Sequence, residues 1–259
     1  MCKRMLPRLA VLAITLLAGL PLSVSAQGGS DAVAAVINDL VAANWILAAE
    51  GILPGYGHVS VRHPEDSSRY FLARSLAPEL VTPDDIVEFD LDSDPVEHTS
   101  SGFYLERFIH GEIYKVRPDV QAVVHNHSPA VISFGIGSTP LRPIFHQAAF
   151  FLNGIPIWDY RDFGTADGAL VDNAERGKAL ATELRDRPAV LMRNHGVAVV
   201  GNSLPMVVGR SITLEENAEM QSQALSRGDV VIYLEQNEET IGSSFDRAWD
   251  VWKRRLNSN

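Results

Sequence analysis

Two histidines, His125 and His127, flank a single Asn in "AVVHNHSPA", residues 122–130. In an extended strand, residues two apart point to the same face, so both imidazoles look into one space. The preceding Ala122-Val123-Val124 run is apolar and predicts a buried strand. A buried imidazole pair without a partner is costly. A shared metal ion is one way to satisfy it, and such a pair at a strand end suits one. His195 lies in "RNHGVAVVG", where a His-Gly turn after a buried strand can aim a third imidazole into a cleft. Three protein ligands with one position left open is a common arrangement at catalytic metals. Glu106 and His110 stand four apart, on one face of a helix. That places a carboxylate where it can meet a metal or act as acid or base beside one. His110 could orient it. His63 and His98 fall in polar loops and receive no role.

The elements that must carry these groups follow from periodicity. "SDAVAAVINDLVAANWILAAEGIL", residues 30–53, predicts a helix with Ser30 as N-cap and Gly51 as stop. "GHVSVRH", "RYFLAR" and "DIVEFDLD" predict strands. "GFYLERFIHGEIYKVRPD" predicts a helix ended by Arg117-Pro118, followed by the "VQAVVHNH" strand. "SPAVISFGIG" starts as a helix with Pro at its first turn. "LRPIFHQAAFF" and "GIPIWDY" predict short strands or a strand–loop pair, and residues 172–186 a helix. "PAVLMRNHGVAVVG" predicts a hairpin turning near Asn194–Gly196. Two long helices close the chain. The pattern predicts one α/β domain, a central mixed and mostly antiparallel sheet with helices on both faces.

Composition narrows the partners. The chain has 259 residues and a formal charge of −10, which disfavours nucleic acid and anionic membranes. The first 26 residues read as a signal peptide: Lys3, Arg4 and Arg8 precede an apolar stretch, and Val24 and Ala26 form a small-residue cleavage site. Cleavage there removes three positive charges and takes the formal charge to −13. It also removes Cys2, the single cysteine, so the mature chain 27–259 holds no disulfide. An exported, periplasmic protein is expected, free of the membrane after cleavage.

Joined together, "ERFIHGEIYKVRPDVQAVVHNH" and the later "LMRNHG" resemble the class II aldolase/adducin family. The resemblance implies the family's three-layer fold. It also implies a metal site of Glu106, His125, His127 and His195, one divalent ion per subunit (Zn²⁺ or Mn²⁺, with Fe²⁺ or Co²⁺ alternatives), and a homotetramer. Sugar-phosphate aldolases of the family cradle phosphate with a Gly-Asn turn, a Thr/Ser-Gly pair and two Ser before the site Glu. Here Gly57-His58, Arg74-Ser75 and Tyr104-Leu105 stand in those places. These departures leave no phosphate cradle of that kind, while "GHVSVR", Arg74-Ser75 followed by "PELVT", "ERFIHGEIY" and "LRPIFHQAAF" resemble the family's decarboxylases of hydroxylated pyridine dicarboxylates and muconate semialdehydes. The expected reaction is therefore decarboxylation of a hydroxylated aromatic or enol/keto dicarboxylate through a metal-stabilised enolate. His58, Arg74, Ser75 and Tyr104 would bind the small carboxylate substrate, and His146 would supply the proton. A sugar-phosphate aldolase or epimerase and a non-catalytic adducin-like binding protein are the alternatives.

Overall fold

The computed structural model describes residues 26–164, 168–228, 230–235 and 244–256, with side chains from 31 onward. The expected signal peptide therefore lies almost wholly outside the described residues. The helix α1, Ala26–Ala49, already runs through Ser30, so Ser30 is not its cap. Over Asp31–Ala49, α1 is apolar enough to cross a bilayer by composition. Its Leu40, Ala43, Ile46 and Leu47 are instead buried in the core. Their spacing is that of one helix face.

Seven strands form one sheet in the order β3-β2-β1-β4-β7-β6-β5. They are β1 His58–Arg62, β2 Arg69–Ala73, β3 Ile86–Asp90, β4 Ala122–Asn126, β5 Ile157–Trp158, β6 Ala189–Met192 and β7 Gly196–Gly201. Every neighbouring pair is antiparallel except the β5–β6 edge, which is parallel. The sheet is thus mixed and mostly antiparallel, as the pattern predicts.

Alternation along the strands builds the two sides. Val59, Val61, Val124, Val197 and Val199 face a core shared with α1, α3 (Pro129–Ile136), α5 (Leu204–Ser226) and α6 (Asp246–Leu256). Tyr70, Leu72, Val123, Val190 and Ala198 face the opposite core, under α2 (Phe108–Val116) and α4 (Ala174–Leu184). The sheet is covered on both faces, giving three layers. His58, Ser60 and His125 alternate with the first set and so share the α2/α4 side.

One segment departs from its expected form. His146–Phe151 is a 3-10 helix rather than a strand or a loop. Asn217 at the ends of the Arg142-to-Ile144 stretch, and Gln221 before it, take backbone groups that a strand would have paired across a sheet.

Candidate metal centre

The β1–β4 register puts His58 directly opposite His125. The β4–β7 register pairs His125 with Ala198 and Asn126 with Val197, so His127 leaves the strand beside Gly196. A Cβ at position 196 would collide with the Asn126 carbonyl and come within 3.0 Å of the His127 ring. Glycine is what lets the hairpin close on His127. The turn before it carries Asn194 at φ 58° and brings His195 in, with its N–H donating to the Met192 carbonyl at 3.0 Å. Past His127, the first N–H groups of α3 are anchored by the Glu215 carboxylate, which accepts from Ala130 and Val131. Gly57 precedes β1 at φ 87°, and a Cβ there would lie 2.6 Å from the His125 carbonyl.

Glu106 comes from the 3-10 turn Leu105–Arg107 that opens α2. One carboxylate oxygen accepts the Val171 N–H at 2.9 Å, which fixes its direction. The other lies 3.3 Å from His125 Nε2 and 3.4 Å from His195 Nε2. His127 Nε2 is 3.1 Å from His125 Nε2 and 3.0 Å from His195 Nε2. One potential ligand atom from each of the four residues lies within 4.8 Å of every other.

The donor chemistry fits a divalent cation. His125 Nδ1 faces the Val197 carbonyl at 3.2 Å, and His195 Nδ1 faces the Ala169 carbonyl at 3.0 Å. A carbonyl only accepts, so each Nδ1 carries the proton. The neutral rings then turn bare Nε2 lone pairs toward one another and toward a carboxylate. Lone pairs facing lone pairs need a cation between them, and carbonyl-anchored Nδ1–H groups are the usual support for metal-bound imidazoles. Without an ion, protons take that place. Burial opposes the charge on Glu106, yet His125 and His195 hold its carboxyl well below the usual range. Burial likewise works against His195, but its bond to Glu106 leaves the ring raised overall. Burial and then the neighbouring His125 and His195 push His127 down to about 4.

Beside the cluster opens a cleft of about 660 Å³ lined by Tyr56, Phe103, Tyr104, Leu105, His58 and Ser75, among others. Tyr104 donates its hydroxyl to the Leu76 carbonyl, and its ring lies 4.5 Å from the His58 ring. His58, Ser75 and Tyr104 thus line the cleft beside the cluster. Arg74 does not: its Nε bonds the Asp85 carboxylate at 2.7 Å, and it lines a separate depression. β2 ends at Ala73, and the chain turns Arg74 toward the 3-10 turn that carries Asp85. His146 is exposed on its 3-10 helix and lines no part of the cleft in this chain. His110 does not orient Glu106. It bonds His58 and Ser60, both at 2.6 Å. The contacts of Ala169, Val171 and Ser60 escape sequence reasoning, although the period of "GHVSVR" does place Ser60 beside His58.

The family profile of the Class II Aldolase and Adducin N-terminal domain matches residues 38–222. Decarboxylase tropJ of Talaromyces stipitatus is 36% identical over 239 residues, covering 82% of this chain and 90% of that protein. The 3,4-dihydroxyphthalate decarboxylase of Rhodococcus jostii is 27% identical over 227 residues, covering 82% and 90%. Among solved structures, an aldolase II superfamily protein from Pseudomonas syringae superposes with a TM-score of 0.73 at 24% identity, covering 91% of this chain and 95% of that one.

Proposed function

The chain belongs to the class II aldolase and adducin family, and from that premise we propose that it is a metal-dependent carboxy-lyase for a hydroxylated aromatic carboxylate. Decarboxylases at 36% and 27% identity over most of the chain support this reading. The observation that carries it is the pairing of the Glu106/His125/His127/His195 cluster with a cleft of aromatic and aliphatic walls. No Lys or Arg is among the described residues lining that cleft, so a phosphate dianion finds no fixed cation among them, while a flat ring finds Phe103, Tyr104 and Leu105.

Loss of carbon dioxide leaves an electron pair on carbon, and that pair needs an oxygen conjugated to it as a sink. A divalent ion, Zn²⁺ or Mn²⁺ in this reading, would be held by His125, His127, His195 and Glu106 and would serve as Lewis acid to that oxygen. Substrate oxygens would compete with Glu106 for the ion, because one Glu106 oxygen is already held by the Val171 N–H and only the other faces the histidines. Phe103, Tyr104 and Leu105 would flank the ring. Ser75 and the Tyr104–His58 wall fix its other polar groups.

The test is direct. Purified protein loaded with Mn²⁺ or Zn²⁺ is given 3,4-dihydroxyphthalate and related hydroxylated aromatic acids. Carbon dioxide release in stoichiometry with the decarboxylated product supports the reading, and cleavage of a ketose phosphate instead contradicts it.

The chain is further proposed to act as an exported homotetramer. Its basic start, apolar run and small-residue Val24/Ala26 pair support export. Tyr56 and Leu105, 76% and 61% exposed at the mouth of the cleft, support a neighbour closing it.

A further inference from the structure

Behind the cleft lies a buried chain of four side chains that the metal cluster does not use. His58 Nδ1 meets His110 Nε2 at 2.6 Å, His110 Nδ1 meets Ser60 Oγ at 2.6 Å, and Ser60 Oγ meets the Tyr114 hydroxyl at 2.8 Å. All four residues are at most 3% exposed.

The far end sets the direction of every bond. Among the described residues, the Tyr114 hydroxyl has Ser60 as its hydrogen-bond partner and nothing else to donate to. Its hydrogen must therefore go to Ser60 Oγ, because a buried donor left unmade is costly. Ser60 then donates to His110 Nδ1. His110, with Nδ1 accepting, carries its proton on Nε2 and donates to His58 Nδ1. His58, with Nδ1 accepting, carries its proton on Nε2. That nitrogen lies across the ring from the chain, has no protein partner among the described residues, and belongs to a ring that lines the cleft. The His58 ring sits 5.2 Å from that of His125. The reverse direction would strand the tyrosine hydrogen and present the cleft with a bare nitrogen.

Resting on the carboxy-lyase reading, we propose that His58 is the catalytic proton donor to the carbon that loses carbon dioxide, and that His110, Ser60 and Tyr114 are positioning residues that supply it. The C–CO₂ bond breaks and its electron pair, after passing through the conjugated oxygen, forms a C–H bond with the proton from His58 Nε2. His58 regains a proton at Nδ1 from His110 Nε2, His110 at Nδ1 from Ser60, and Ser60 from Tyr114. Each imidazole is neutral before and after. The charge left by the departed carbon dioxide ends on the Tyr114 phenolate. Arg62 receives it: its guanidinium lies 4.6 Å over the Tyr114 ring, and its hydrogen bonds go to the carbonyls of Ser67, Tyr114, Arg117 and Val120. A water in the cleft then protonates His58 Nε2, the transfers run in reverse through His110 and Ser60, and Tyr114 regains its proton, which resets the chain. A ring C–H is a far weaker acid than a phenol, so the transfer runs downhill.

The test reads tautomers first. In Zn²⁺-loaded protein with ¹⁵N-labelled histidine, His58 is assigned by its disappearance in His58→Gln. Long-range ¹H–¹⁵N spectra should show His58 protonated on Nε2 and bare on Nδ1. In Ser60→Ala the donor to His110 Nδ1 is gone, and His58 should show both tautomers; in Tyr114→Phe, Ser60 becomes the terminal donor and His58 should stay protonated on Nε2. Turnover reads second. His58→Gln should lower kcat about 100-fold, the lower range for losing a general acid. Tyr114→Phe and Ser60→Ala should lower kcat on the order of tenfold with KM and bound Zn²⁺ unchanged, and Ser60→Thr, which keeps the hydroxyl, should restore much of it. A His58 proton on Nδ1 in the wild type, a Ser60→Ala variant unchanged in tautomer, or a Tyr114→Phe variant unchanged in kcat overturns the proposal. Absence of carbon dioxide release from the wild type overturns the functional reading instead, while the tautomer result still reports on the chain.

Discussion

His58 and His125 stand opposite each other across the β1–β4 ladder, yet they belong to two separate systems. His125 turns its Nε2 toward Glu106 and His127. His58 turns its Nδ1 the other way, to His110. One register therefore seats a metal ligand and a cleft-facing N–H side by side on a rigid sheet, which is how a site keeps reacting groups in position.

The ligand assignment predicts that Glu106→Gln weakens Zn²⁺ or Mn²⁺ binding by more than the roughly 10–100-fold that loss of an outer hydrogen-bond partner costs. The amide keeps the Val171 contact but loses the charge. Competition with a fluorescent chelator measures the change.

The backbone at Gly57 predicts a second effect. Gly57→Ala places a Cβ 2.5 Å from Leu53 and 2.6 Å from the His125 carbonyl, at a φ of 87° that L residues seldom adopt. The expected cost is about 1–3 kcal/mol of stability. Because the contact is with the His125 backbone, metal affinity should fall as well. Urea titration and metal binding on the same preparation test both.

Acid should destabilise the metal-free protein in a defined window. Burial and then the charge on His125 hold His110 at about 3, and His127 sits at about 4, against 6.5 for an ordinary imidazole. Below pH 6.5 the unfolded chain takes up protons that these two folded residues refuse, so stability falls with pH. The loss continues to about pH 4 for His127 and about pH 3 for His110. Glu106, held below its ordinary 4.5, adds to it at the acid end, while the raised His195 works in the opposite sense. Denaturant midpoints from pH 7 to pH 4 should decline, and His110→Gln should flatten the slope.

Much of this was legible in the sequence, for reasons that are local. Period two puts His125 and His127 on one face, and the hairpin signal around Asn194–Gly196 brings His195 back along the neighbouring strand. What stayed hidden depends on tertiary pairing. Arg74 looked like a substrate anchor until Asp85, eleven residues on, captured it. His146 read as a candidate proton donor, but α5 side chains hold the backbone just before it and its 3-10 helix leaves it exposed. His110 read as a partner of Glu106 by helical spacing. Only the meeting of α2 with β1 shows that it serves His58.

The central claim is that a metal held by the Glu106/His125/His127/His195 cluster decarboxylates a hydroxylated aromatic acid. The most direct measurement follows carbon dioxide from a hydroxylated benzene dicarboxylate, with bound metal quantified in the same sample, for wild type and His125→Ala. The account predicts release by the metal-loaded wild type, loss on chelation, recovery on adding the ion back, and neither bound metal nor release in the variant. Carbon dioxide release that survives both chelation and His125→Ala would contradict it.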